Sequence, residues 1–236
     1  MTSSGSWLRV RHASAVLALV AAPFAGVVWS FLVPLWTGSM AKEVAAVAAA
    51  PSRFVAGTYA GILMSFLMVP AALAVGRLLR PRAPVASDVA TALCVLGACF
   101  HGGVLVFQLA ETAIVAAIPD QAQATAAVTK MFEQPAFYLV LAPFVMFYVG
   151  LAAFAVVMLL RRAVPWWIPV LILVAIPIEL AGPMLWKARA FFVMLAVAFI
   201  GLAYVVGRLG ATVWAERRDT LAPGSSSDVG NPTVAA

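Results

Sequence analysis

Three polar residues, His101, Gln108 and Thr112, recur at intervals of seven and four in an otherwise apolar stretch. At about 100° per residue an α-helix gathers them within about 40° of one face. Cys94 falls on the same stripe, and Glu111 sits beside it, one residue from Thr112. Gly102 and Gly103 lie in the middle of the stretch, where small residues permit close helix contact or a kink. A second carboxylate, Glu179, stands in Ile176-Pro-Ile-Glu-Leu-Ala-Gly-Pro183. Its flanking prolines disturb a helix and free backbone carbonyls. Polar groups in such surroundings must point at protein or water, so each is a functional candidate.

Three readings compete for these residues. In the first they are structural: Glu179 pairs with Lys187 or Arg189, and Glu111 with Arg53 or Gln134, pinning helices together for about 1–2 kcal/mol or less per pair. In the second they line an outward-facing polar cavity for a small ligand or cation. Glu111 and Glu179 are then its charged walls, His101 its floor, and Gln108 and Thr112 lie on the same face. A protonatable carboxylate in low dielectric suits proton coupling. In the third, His101, Glu111 and Glu179 serve a membrane enzyme or a metal site. The chain has only two histidines, and His12 falls at the opposite end of its apolar stretch. No histidine-rich metal site, no haem with two axial histidines and no other cofactor is therefore expected.

Other chemistry leaves no trace. There is no P-loop, no dinucleotide glycine fingerprint, no His-Glu-x-x-His and no Gly-x-Ser-x-Gly elbow. Ser65 is expected to bond back to its own helix. Tyr59, Tyr138 and Tyr148 have two readings, cavity lining or core aromatics, and aromatic residues at helical spacing are more often core.

The elements that must position these residues follow from composition. Of 236 residues only 10% are charged and 64% are apolar, with a mean hydropathy of +1.04. A soluble domain is nearer a quarter charged and about half apolar. So few charges cannot cover a soluble surface, and so many apolar residues exclude disorder. Two cysteines, Cys94 and Cys99, exclude a disulfide scaffold, and on one helix they point about 140° apart. A crossing helix needs about 20 apolar residues. Six stretches qualify, near 13–36, 54–79, 89–118, 136–160, 166–186 and 190–213. None alternates with period two, so helices rather than a β-barrel are expected. The first stretch, about 24 residues, exceeds the 7–15 of a signal peptide's apolar region and reads as an uncleaved span.

The expected fold is thus all-α, a polytopic bundle of six transmembrane helices. The expected organisation is a cytoplasmic segment 1–12, a membrane domain 13–214 and a disordered cytoplasmic tail 215–236. Two longer connections hold short helices, Met40 to Ala50 ended by Pro51, and Asp120 to Phe132 with Asp120 as the N-cap. One set of loop ends carries ten basic residues and the other five, which places both termini inside. Basic residues spread thinly over short loops do not make a nucleic-acid surface, despite a pI near 9.9.

Ala72-Leu-Ala-Val-Gly-Arg-Leu-Leu-Arg80, Ala153-Phe-Ala-Val-Val-Met-Leu-Leu-Arg161 and Ala203-Tyr-Val-Val-Gly-Arg-Leu209 match in plan. Three parallel hairpin repeats are one reading of these matches. Chance alignment of Ala, Val and Leu is the other. With its Arg-rich turn after the second span, Arg77-Leu-Leu-Arg-Pro-Arg82, the chain resembles an uncharacterised family of bacterial six-helix integral membrane proteins, a 4386-like domain of unknown function. The likeness covers roughly Val10 to Val213 and implies a fold but no catalytic residues. Alanine richness and a preference for Arg over Lys suit a GC-rich bacterial genome.

The expected function is small-solute or ion-linked transport or ligand binding in the outward-facing cavity of a multi-pass protein of the bacterial cytoplasmic membrane. A non-catalytic membrane subunit or scaffold is the alternative, and a lipid-modifying enzyme with Glu111 or Glu179 as base a further one. Expected partners are membrane lipids, an unidentified small molecule or ion, and a membrane protein or second copy of the chain, but no nucleic acid.

Overall fold

The computed structural model describes residues 3–33, 39–181 and 185–210. Among them are eight helices: α1 (Ser3–Leu32), α2 (Met40–Ala49), α3 (Pro51–Leu79), α4 (Pro84–Ala117), α5 (Gln121–Phe132), α6 (Pro135–Leu160), α7 (Trp167–Leu180) and α8 (Leu185–Arg208). Proline opens α3, α4 and α6. The first turn of a helix has no use for the missing N–H, and proline's fixed φ suits it. Asp120 caps α5 as its sequence position implies, accepting the Gln123 N–H at 2.8 Å.

Five helices, α1, α3, α4, α6 and α8, are long and apolar enough to cross a membrane, which makes the chain an all-α multi-span membrane bundle. α1 begins ten residues before the apolar stretch at Ala13, because hydropathy marks where a helix changes solvent, not where it starts. α7 is shorter than the stretch 166–186 that contains it. Its 14 residues rise about 21 Å, against about 30 Å of hydrocarbon. It contains Pro177 and stops at Leu180, and α8 starts at Leu185. The expected tail, 215–236, lies outside the described residues.

The six apolar helices close a ring in chain order: α1 packs on α3, α3 on α4, α4 on α6, α6 on α7, α7 on α8 and α8 back on α1. The contact between α4 and α6 is made at glycines. A Cβ on Gly150 would sit 2.6 Å from the Cys94 backbone nitrogen, and one on Gly97 would run into that of Phe147. The two backbones therefore touch with no side chain between them.

One end of the ring carries α2 and α5. Val44 of α2 and Ala124 and Val128 of α5 share a small apolar cluster with Ile114, Val115 and Ile118 at the end of α4. The other end carries the arginine-rich turns. There Arg82 donates to the Ala163 carbonyl at 3.1 Å, tying the α3–α4 turn to the α6–α7 turn. The end of α6 is closed by an Ala163 N–H to Met158 carbonyl bond of 3.0 Å, with Arg162 left-handed at φ 47°. That is a Schellman closure with arginine in the position glycine usually takes. His12 meets the Val206 carbonyl at 2.9 Å, which brings the end of α8 to the same level.

Candidate functional site

The α4 stripe faces the inside of the ring. His101 and Gln108 line a cavity of about 290 Å³ in the half of the ring nearer α2 and α5, and all six ring helices contribute to its wall. Seven of its 17 lining residues are Phe, Tyr or Trp. This is an aromatic cavity with a few fixed polar groups, rather than the polar one the sequence suggests.

Each polar group is held by a neighbouring helix. The Ser65 hydroxyl of α3 lies 2.8 Å from His101 Nδ1 and 3.1 Å from the Gly61 carbonyl. A hydroxyl has one proton. That proton has two acceptors within reach, the Gly61 carbonyl and His101 Nδ1, so the ring is tied through Ser65 to the backbone of α3. Trp29 of α1 donates its indole N–H to Gln108 Oε1 at 3.4 Å. The His101 ring stands edge-on to Trp29 at 5.7 Å and tilted over Phe144 at 4.8 Å. Phe144, Tyr148, Phe191 and Phe192 continue the aromatic wall through successive contacts of 4.9–5.7 Å.

Glu179 of α7 is the one acidic or basic side chain in this wall apart from His101. It lies within electrostatic range of Tyr148. Its Oε2 is buried and has no hydrogen-bond partner among the described residues.

Glu111 lies elsewhere. One step round α4 from the stripe, it is 0% exposed and is not among the cavity-lining residues. Neither of its oxygens has a hydrogen-bond partner among the described residues. Glu43 of α2, itself 6% exposed, lies within electrostatic range of it. Burial raises the Glu43 carboxyl from the usual carboxylate range to about 7. Thr112 points neither way: its hydroxyl donates to the Gln108 carbonyl at 3.0 Å. Cys94 lies against the Phe147 carbonyl at 3.9 Å.

The expected pairing of these acids with nearby donors is not what forms. Arg53 donates to the Phe31 carbonyl at 2.8 Å and Arg189 to the Ser30 carbonyl at 3.4 Å, with the Arg189 guanidinium also 4.8 Å from the centre of the Phe31 ring. Lys187 donates to the Ala181 carbonyl, and Gln134 to the Lys130 carbonyl at 3.2 Å. All four acceptors lie at or near helix C-termini. The last carbonyls of a helix have no intrahelical donor and form the negative end of its dipole, so they compete with carboxylates for nearby donors. Here they win, and Arg53 and Arg189 tie α3 and α8 to the end of α1.

Two features escaped the sequence reading. Glu43 is one; it lies four residues before Val47, and a helix over Met40 to Ala50 puts the two on one side, which was the available signal. The aromatic wall is the other, since its members come from α1, α6 and α8 and share no local pattern. Among the described residues no group of three or more His, Cys, Asp or Glu could hold a metal ion.

A family model described as a domain of unknown function, DUF4386, matches residues 13–215. No curated protein and no solved structure matches the chain.

Proposed function

The chain belongs to the DUF4386 family, a premise from which we propose a small-solute binding or transport role, exercised in the ring cavity on a compact organic cation. The observation that carries this reading is the buried, unpartnered Glu179 oxygen in an aromatic wall. Leaving such an atom unsatisfied costs about 1–3 kcal/mol or more, a cost with no return in a purely structural role. A cation restores its partner, and aromatic faces attract the same charge through their quadrupoles. The apolar remainder of the wall suits a ligand with a hydrocarbon body. Ligand binding is thus favoured over scaffolding. Glu111, under α2, is assigned to the second acidic site and not to this cavity.

The same proposal takes α7 as a sixth crossing. What supports it is the position of its neighbours. The α6–α7 turn is tied to the arginine end by Arg82, and α8 starts beside Ser30 at the other end. Those two positions at opposite ends support reading α7 as the segment that links them. The excess of arginine at one end supports placing that end and both termini in the cytoplasm of a bacterium. The pairing of α1 with α3, α4 with α6 and α7 with α8 is compatible with three hairpin repeats.

The test uses the full chain in detergent and tert-butylammonium, a compact cation with N–H donors, as the probe, read by thermal shift and Trp fluorescence. Binding is expected for wild type, with an affinity at least about tenfold weaker in Glu179→Gln at similar thermal stability. Equal binding of an uncharged isostere, or an unchanged affinity in Glu179→Gln, would overturn the proposal.

A further inference from the structure

A second recess, of about 460 Å³, opens at the arginine end between the first turns of α1, the last turns of α3 and the start of α4. Its charged lining is Arg11, Arg77, Arg80 and Asp88. Three guanidinium groups and one carboxylate sum to a charge of +2, which complements an anion. Arg80 is paired with Asp88, Nε to Oδ1 at 3.4 Å. Arg11 and Arg77 line the recess and are half-buried, as long cationic side chains are where apolar surface meets a polar boundary.

The apolar residues beside the recess decide what kind of anion fits. Val10 and Leu73 belong to its lining and are themselves exposed. From Val10 an exposed row continues along α1 through Leu17 and Phe24, and from Leu73 another continues along α3 through Phe66 and Tyr59. Each step is seven residues, which returns to the same face of a helix. α1 and α3 pack on one another, and both rows lead from the recess toward the far end of the ring. The recess therefore sits where two apolar tracks end in a cluster of guanidinium groups. A soluble phosphate has no use for the tracks.

We propose that this recess binds the phosphate of an anionic phospholipid, with its acyl chains laid along the two exposed rows of α1 and α3. The guanidinium groups bond the phosphate oxygens by charge-assisted, fork-like contacts. Trp7, exposed at the recess rim, sits at headgroup level, as tryptophan does at membrane interfaces. Basic pockets between spanning helices are a recurrent means of holding acidic headgroups. The site is separate from the ring cavity and does not depend on what that cavity holds.

The test is native mass spectrometry of the full chain from mixed micelles with equal phosphatidylglycerol and phosphatidylcholine. Wild type is expected to retain one phosphatidylglycerol in preference by roughly tenfold or more. The double variant Arg11→Gln/Arg77→Gln is expected to fall to parity, and Arg11→Lys/Arg77→Lys to keep most of the preference. Asp88→Asn, which removes the only acid of the recess, is expected to hold or raise retention, opposite in sign to what general damage would do. No preference in wild type, or a preference that survives the double glutamine variant, would overturn the proposal. Displacement of the lipid by inorganic phosphate at equal concentration would overturn the lipid as the source of the phosphate.

Discussion

In the half of the ring under α2 and α5, the charged groups set among apolar neighbours are carboxylates. Glu43 and Glu111 are buried beneath the cap, and Glu179 lines the cavity with an oxygen that has no partner. At the opposite end, charge stands in half-exposed side chains that have found partners: Arg80 with Asp88, and Arg82 with a carbonyl of the next turn. The arginines and lysines near the acids do not neutralise them, because the carbonyls that end α1 and α7 take their donors. Neutralisation at the capped half is thus left to protons or to a bound cation. At the arginine end Arg80 and Arg82 find their partners within the protein. A buried, unpaired acid is energetically expensive and responsive to small changes, whereas an exposed pair is neither.

That contrast can be broken at its strongest point by pH. A carboxyl whose folded value is about 7 against 4.5 unfolded holds its proton more tightly in the folded chain. Stability is then greatest below about pH 4.5, falls as pH rises toward 7, and is flat beyond. The loss attributable to Glu43 is on the order of 3 kcal/mol. Thermal melts in detergent between pH 4.5 and 8 should show this decline, and Glu43→Gln should make it shallower by the Glu43 share. A wild-type melting temperature that rises over that interval would show that α2 is held by an ionised Glu43.

Next in size is Glu111→Leu. Removing a fully buried carboxyl with two unpartnered oxygens is expected to stabilise the chain by about 1–3 kcal/mol at pH 8. Denaturation that instead occurs earlier would reveal a partner worth more than the desolvation of the acid. A smaller gain, about 0.5–1 kcal/mol, is expected for Arg162→Gly at the other end, because glycine adopts the left-handed backbone without strain. It separates backbone from charge, since Arg162→Gln should leave the melting temperature where it was. Smallest is Asp88→Asn. Its ion pair has partners 47% and 57% exposed, so its loss should change stability by no more than about 0.5 kcal/mol. A drop comparable to the effect at Glu43 would erase the distinction between the two ends.

Much of the architecture can be read from local chemistry. Pro51, Pro84, Pro135 and Asp120 mark helix starts because their own backbone geometry or side chain does the work there. The spacing of His101 and Gln108 likewise puts them on one face without reference to any neighbour. What spacing cannot say is what stands opposite. Glu111 lies a single residue from Thr112, and that 100° step carries it away from the cavity and toward α2. Glu43 acquires its environment only when α2 docks on α4, and the aromatic wall only when α1, α6 and α8 converge. Arg53 and Arg189 show the same limit. Charge suggests a carboxylate partner, but a helix end is an acceptor that no side chain in the sequence announces. The end of α7 at Leu180 is hard to read because the sequence on either side of it, apart from Glu179, is apolar or small.

The glycine contact between α4 and α6 also determines how the cavity can exchange its contents. Backbones in direct contact at Gly97 and Gly150 have no side chains to swing aside, so that edge of the ring behaves as a weld. α7 stands directly across α6 from it and is shorter than the other ring members, with a proline two residues before Glu179. A passage for solute would then run beside α7. The carboxylate proposed to hold the cation would ride on the moving part, and release would be mechanically linked to opening.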